Sequence, residues 1–412
     1  MTHLTTTLVH HPYQPPAGFE APQAGVFKAS TVLFPNVAAM RSMEWKNKTG
    51  YTYGLHGTPT SYLLEEKLCT LEGGKHCVLL PSGLAAIVCA SFALLKTGDE
   101  VLIPDNAYGP NKALAEGELK AMGVTHQLYD AMNPADLAAK IGAKTKLVWL
   151  EAAGSITLEF PNLVEQVRIC KAAGVTSVLD NTWGAGLAFK PFDLLPGSGE
   201  TLGVDLTTHA LTKYPSGGGD VLMGSVVTCD DAIALQLKDN HMRFGWNVGM
   251  NDVELVLRSL PSIAIRYAAH DAAARSLAAW CQGRPEFAQV LHPALPGSPG
   301  HAHWRALCGH APPGADANGL PGVGTAAGLF SVMFQPTYNQ AQVDGFCDAL
   351  QLFGLGYSWG GPESLVVPYN LAAIRPQWPA HLAPGRIVRF NVGLEDVGDL
   401  RADLAAGLAQ IR

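Results

Sequence analysis

Between residues 60 and 214, short apolar runs alternate with stretches of helical periodicity. CVLL (77–80), EVLIP (100–104), KLVWLE (146–151), SVLDNT (177–182) and DLTTHALTKY (205–214) read as strands. SYLLEEKLCTLEGG before them, and AAIVCASFALL, KALAEGELKAMG and LVEQVRICKAAG between them, read as helices. A chain that alternates in this way folds as an α/β unit, a mostly parallel sheet covered by helices on both faces. Ligands of such sheets sit at the carboxyl ends of the strands, so the residues that close each run are where chemistry is expected.

The flanks have a different texture. Residues 1–57 are polar, rich in Pro, Thr and His, and predict an arm that packs on something else. Residues 58–256 form the large domain on this reading, and residues 257–412 a smaller α+β domain. The latter holds a long helical stretch, ELVLRSLPSIAIRYAAHDAAARSLAAWC, strand-like GLFSVMFQ and RIVRFNVGLE, helix-like QVDGFCDALQLF and a terminal helix. With 412 residues, 48% of them hydrophobic, the chain has ample material for these cores. Net charge is −7 and no Lys/Arg run occurs, which argues against nucleic acid or an anionic membrane as partner. The N-terminus lacks a basic-then-apolar leader, and the longest near-apolar run, residues 85–95, is too short to span a bilayer. A cytoplasmic protein is the expectation. The eight cysteines form no C-x-x-C pair and are expected to be small buried hydrophobes. No metal site is expected of His10 and His11, or of His301, His303 and His310.

Four features close the apolar runs. In PSGLAAI (81–87) a strand turns into a helix at Ser82-Gly83; free N–H groups there can hold a phosphate, or the segment is an ordinary turn. In LDNTW (179–183) Asp180 must face a partner, or it caps. Tyr108 in DNAYGPN can stack on a flat ligand, or pack. Lys213, beside Thr212 in TKYPSGGGD, can be a desolvated nucleophile, or a surface charge; its glycines follow it, so it is no nucleotide P-loop. Together the four describe one ligand. A helix N-terminus takes its phosphate, an aromatic its ring, a carboxylate its ring nitrogen and a lysine its aldehyde, which is the requirement of pyridoxal 5′-phosphate.

Through YGLHGTPTSYLLEEKLCTLEGGKHCVLLPSGLAAI (53–87), LEAAGSITLEF (150–160), DNTWGAGLAFKPFDL (180–194), TKY (212–214), HPALPGSPGH (292–301), YSWGGPESL (357–365) and RIVRFNVGLEDVGDL (386–400), the chain resembles the Cys/Met-metabolism family of pyridoxal-phosphate enzymes, and within it the bacterial cystathionine β-lyases. The resemblance implies the aspartate-aminotransferase-like fold (fold type I) and a homotetramer built as a dimer of dimers, each site completed by the neighbour's arm. It implies Lys213 as the covalent anchor of the cofactor and Asp180 as partner of the ring nitrogen. By the same resemblance Tyr108 would stack on the ring, the Gly83 and Leu84 backbones with Thr212 would hold the phosphate, and Tyr53 of the neighbour would complete the phosphate site. The resemblance also implies that Arg389 would bind the carboxylate of a sulfur amino acid, and that Ser358 and Trp359 would line the substrate side.

The implied reaction is β-elimination of cystathionine. The alternatives are a broader β-lyase of cysteine, cystine or other S-conjugates, a γ-lyase or γ-synthase, and a non-catalytic cofactor-binding protein. Pro110 and Asn111 follow Tyr108-Gly109, where methionine γ-lyases carry a cysteine, and this favours the β reaction. The chain departs from the family pattern at Leu55, where the arm usually has Arg, at Ala152 and Ala153 in place of Ser-Pro, and at Gly218 and Gly219 in place of His-Ser.

Overall fold

The computed structural model describes residues 4–11, 17–18, 21–309, 324–375 and 377–411; His310 lies outside them. A seven-stranded sheet in the order β1-β7-β6-β5-β4-β2-β3 is formed by β1 (His76–Leu80), β2 (Glu100–Pro104), β3 (Thr125–Tyr129), β4 (Thr145–Glu151), β5 (Thr176–Asp180), β6 (Leu206–Ala210) and β7 (Gly224–Thr228). Only β7 runs against its neighbours, β1 and β6. Alternate residues of one strand feed opposite cores. Val101, Leu147 and Val178 pack on one face with Ile87 and Leu237, whereas Leu102, Val148 and Leu179 pack on the other with Leu68 and Val167. Strands apolar on both faces are the mark of a helix-covered parallel sheet.

A second, five-stranded sheet has the order β10-β11-β12-β9-β8. It is built from β8 (Phe287–Leu291), β9 (Leu329–Phe334), β10 (Gly354–Leu355), β11 (Leu365–Tyr369) and β12 (Ile387–Asn391). Helices Ile263–Gln282 and Val397–Ala409 pack on it.

Three expectations are corrected. The run DLTTHALTKY is a strand only through Ala210, and Lys213 sits in the turn beyond it. The long helical stretch divides into Met250–Ser259, a single tight turn at Leu260–Ser262 and Ile263–Gln282, because Pro261 has no N–H to continue the ladder. KALAEGELKAMG is regular helix only to Leu114 and widens into a π turn over Ala115–Leu119. The arm also has an anchor: Leu8 is fully buried, and Lys67 Nζ donates to its carbonyl at 2.7 Å. All eight cysteines are free; six are buried, Cys69 is half-buried and Cys229 is exposed. Among the described residues no helix is long and apolar enough to cross a membrane, and no His/Cys/Asp/Glu group is arranged for a metal.

Candidate active site

The carboxyl ends of β1, β4, β5 and β6 converge with the loop after β2. After β1, Ser82 takes an extended conformation and its side chain accepts from Ala85 N at 3.0 Å, starting the Gly83–Leu94 helix. Gly83 is required for close approach, since a Cβ there would lie 2.5 Å from the Cβ of Ala210. The first N–H groups of a helix have no acceptor within it, which leaves Gly83 and Leu84 donors for an anion. Thr212 lies beyond β6, and its hydroxyl makes two long contacts with Met223, accepting from the N–H at 3.4 Å and donating to the carbonyl at 3.5 Å.

Lys213 projects from the next residue. Its Nζ donates to Ser358 Oγ at 2.8 Å and lies 5.5 Å from the centre of the Trp359 ring. Burial, followed by the nearby Arg389 cation, lowers the amine to about 8 from the ordinary 10.5, with Asp180 pulling the other way. An amine near that value is substantially neutral at mildly alkaline pH and can act as nucleophile or base. Ser358 and Trp359 reach it from the loop between β10 and β11. Trp359 packs edge-on against Tyr214, 5.7 Å between ring centres, and Gly360 N donates to Asn391 Oδ1 at 3.0 Å. Gly360 has a φ of 78°, and a Cβ on it would lie 3.0 Å from Tyr214 N, so the loop can press on the Lys213 turn only with glycine there. Gly219 has a φ of 74° and faces Gly361, which explains one of the glycines after the lysine.

Asp180 is the last residue of β5. Its carboxylate accepts from Thr182 N at 3.0 Å and Thr182 Oγ1 at 2.6 Å. Desolvation raises its pKa, and the two threonine bonds oppose the rise. Its neighbour in register is Glu151, the buried last residue of β4. Desolvation and then the adjacent Asp180 push Glu151 well above the usual carboxylate range, although it accepts from Tyr108 N at 2.8 Å. That bond fixes the backbone from which Tyr108, 40% exposed, presents its ring. Sequence reasoning passed over Glu151; its signal was a carboxylate closing an otherwise apolar run.

Arg389 lies on β12, buried, with Nη1 donating to Ser155 O at 2.9 Å. Among the described residues it makes no ion pair. Burial first of all lowers its pKa, as expected of a cation held without an acid partner. Close by, Arg375 binds Glu159 at 2.8 Å and 2.9 Å and also Asp105, a network that sequence reasoning missed altogether. Tyr53 is the expected site residue that stays apart: it is 44% exposed on the arm, and its hydroxyl accepts from Ser30 Oγ at 3.1 Å. The rest of the donor set, a depressed lysine, a strand-end carboxylate, a free helix N-terminus and an exposed aromatic, fits pyridoxal phosphate.

Comparison with known proteins agrees with this chemistry. The profile of the family described as Cys/Met metabolism PLP-dependent enzyme matches residues 5–409. Cystathionine β-lyase of Escherichia coli (strain K12) is 35% identical over 93% of this chain and 92% of its own length. The cystathionine β-lyase of Bordetella avium is 36% identical over 98% of this chain and 97% of its own. Among solved structures, cystathionine γ-synthase of Xanthomonas oryzae pv. oryzae, in complex with aminoacrylate and cysteine, superposes with a TM-score of 0.84 at 28% identity, covering 100% of this chain and 99% of that one.

Proposed function

The chain belongs to the Cys/Met metabolism PLP-dependent enzymes, and from that premise we propose that it is a carbon–sulfur β-lyase whose substrate is cystathionine, cleaved to homocysteine, pyruvate and ammonia. The cofactor supplies an electron sink for negative charge at the substrate Cα. Lys213 would anchor it and would take the proton from the substrate Cα; an amine with a pKa of about 8 is suited to both tasks. Ser358 accepts a hydrogen bond from that amine and aims it. Asp180 would pair with the ring nitrogen, Tyr108 would cover the ring, and Gly83, Leu84 and Thr212 would hold the phosphate. Arg389 binds the substrate carboxylate as a planar two-donor fork, and Trp359 borders the substrate side.

The observation that carries this reading is Arg389, a buried cation with no acid partner among the described residues, beside an amine it helps to depress. Such a pair has a use when an amino acid brings the missing carboxylate. Residues 1–57 are read as an arm that lends Tyr53 to a neighbouring subunit, with residues 58–256 and 257–412 as the two domains of a cytoplasmic homotetramer. The exposure of Leu33, at 89%, and of Tyr53 supports an arm that meets another copy.

The test is a panel of thioethers, cystathionine, cystine and S-alkyl cysteines among them, scored for pyruvate, 2-oxobutyrate and thiol on cofactor-saturated enzyme. Pyruvate with an equal amount of thiol is expected, together with its loss, by at least about 100-fold, in Lys213→Ala. Release of 2-oxobutyrate instead would assign the γ reaction. An unimpaired Lys213→Ala enzyme would sink the mechanism.

A further inference from the structure

Arg389 is held from two sides, and one of them belongs to no site motif. β11 and β12 pair antiparallel with Val367 opposite Arg389 and Tyr369 opposite Ile387. Tyr369 is therefore the diagonal neighbour of Arg389 on the same face of the sheet, a spacing that aromatic and long side chains bridge. The guanidinium lies over the Tyr369 ring, 5.2 Å from ring centre to Cζ, and the phenol oxygen also accepts a hydrogen bond from it. Elsewhere on the same guanidinium, Nη1 donates to Ser155 O, in the loop that follows β4. Next to Arg389 on β12's other side, Ser331 of β9 donates to Ile156 O at 2.6 Å, so two strands of the second sheet grip the same short segment. The Tyr369 ring also lies 6.3 Å from that of Tyr357, the residue before Ser358.

The chemistry of the clamp matters as much as its place. Burial pushes the Tyr369 phenol up, with the adjacent cation opposing, so the side chain stays neutral at working pH. A neutral ring and hydroxyl orient a guanidinium without cancelling its charge, where an aspartate or glutamate would occupy the donors the substrate needs. On the reading that Arg389 binds the substrate carboxylate, we propose that Tyr369 is its positioning residue, fixing the guanidinium plane between the ring and the Ser155 carbonyl so that its free N–H pair meets that carboxylate.

The experiment titrates the holoenzyme with L-alanine, which lacks a leaving group, and with L-alaninamide, which also lacks the carboxylate, and follows the cofactor absorbance. The wild type is expected to prefer alanine, and Arg389→Ala to lose that preference. Tyr369→Phe, which keeps the ring, is expected to weaken alanine by about tenfold or more, the scale of one hydrogen bond to a charged group. Tyr369→Ala should weaken it further, and alaninamide binding should be unchanged in both variants. With cystathionine the loss should appear in KM more than in kcat. If both Tyr369 variants bind alanine as the wild type does, or lose alanine and alaninamide equally, the positioning role is overturned. If Arg389→Ala keeps the preference for alanine, it is the carboxylate-binding role of Arg389 that fails.

Discussion

Lys213 Nζ and Ser358 Oγ meet at 2.8 Å across the junction of the two sheets. The amine comes from the turn after β6 and the hydroxyl from the loop between β10 and β11, so the bond exists only when both halves are docked. Ser358→Ala removes the acceptor and leaves the lysine free to swing. On the proposed reading of Lys213 as the proton-transferring group, a fall in kcat of about tenfold is expected, with KM changed much less. Steady-state pyruvate release measures both constants, and an unaltered kcat would remove Ser358 from the account.

Lys213 also fixes a pH profile. Its amine is lowered to about 8, first by burial and then by Arg389. Below that value the amine is protonated and cannot attack an aldehyde; above it the neutral form dominates. Cofactor uptake by apoenzyme should therefore accelerate as pH rises toward about 8 and level off beyond it. Arg389→Ala removes the second depressing influence and should move the curve to higher pH. Rapid-mixing absorbance reads this directly. A rate still climbing toward the ordinary lysine value of 10.5 would show that Lys213 is not desolvated.

Glu159 carries a prediction about acid stability. Its carboxylate is buried, which alone would raise its pKa, but His381, Arg375 and Asn106 bind it and bring it down to about 2 from 4.5. A depressed folded pKa contributes stability that is present above the unfolded value and lost as pH falls through the folded one. That contribution should fade between about 4.5 and about 2. Glu159→Gln should flatten this part of the acid-unfolding profile. Arg375→Ala leaves Glu159 and Asp105 without their shared cation and should cost about 3–5 kcal/mol, read by urea unfolding at neutral pH.

The sequence was most informative where a strand had to be apolar on both faces. β2, β4 and β5 stand out as continuous apolar runs, and each leads directly into site residues. β3, THQLY, opens on three polar side chains at the sheet edge, β7, GSVVT, begins and ends on small or polar residues, and β11, LVVPY, is interrupted by a proline, so none of the three was legible. Lys213 could be singled out as a candidate although its strand was drawn too long, because the motif follows the order of residues rather than the last ladder bond. Partnerships between distant segments were beyond reach. Arg375 and Glu159 are 216 positions apart, and Tyr369 meets Arg389 only through the register of two strands. A single chain's pattern fixes which face a residue takes, and not which residue from another element will stand opposite.

The arm poses a question of charge that the structure narrows. Leu55 stands where the family pattern has Arg, within the tight turn Gly54–His56. His56 beside it is no replacement cation. Its Nδ1 is engaged by Thr52 Oγ1 at 2.7 Å, its ring stacks on Trp45 at 4.7 Å, and burial lowers its pKa, keeping it neutral at working pH. On the proposed reading, a phosphate dianion seated on the Gly83–Leu84 amides would rely on N–H donors and hydroxyls, which neutralise less charge than a guanidinium. Leu55→Arg should therefore tighten cofactor binding, by about tenfold for one added charge-assisted contact, and make it more sensitive to salt. Equilibrium dialysis of cofactor at low and high ionic strength reads both effects. If the variant binds cofactor no more tightly at low salt, the arm does not reach the phosphate, and the placement of Tyr53 in a neighbour's site falls with it.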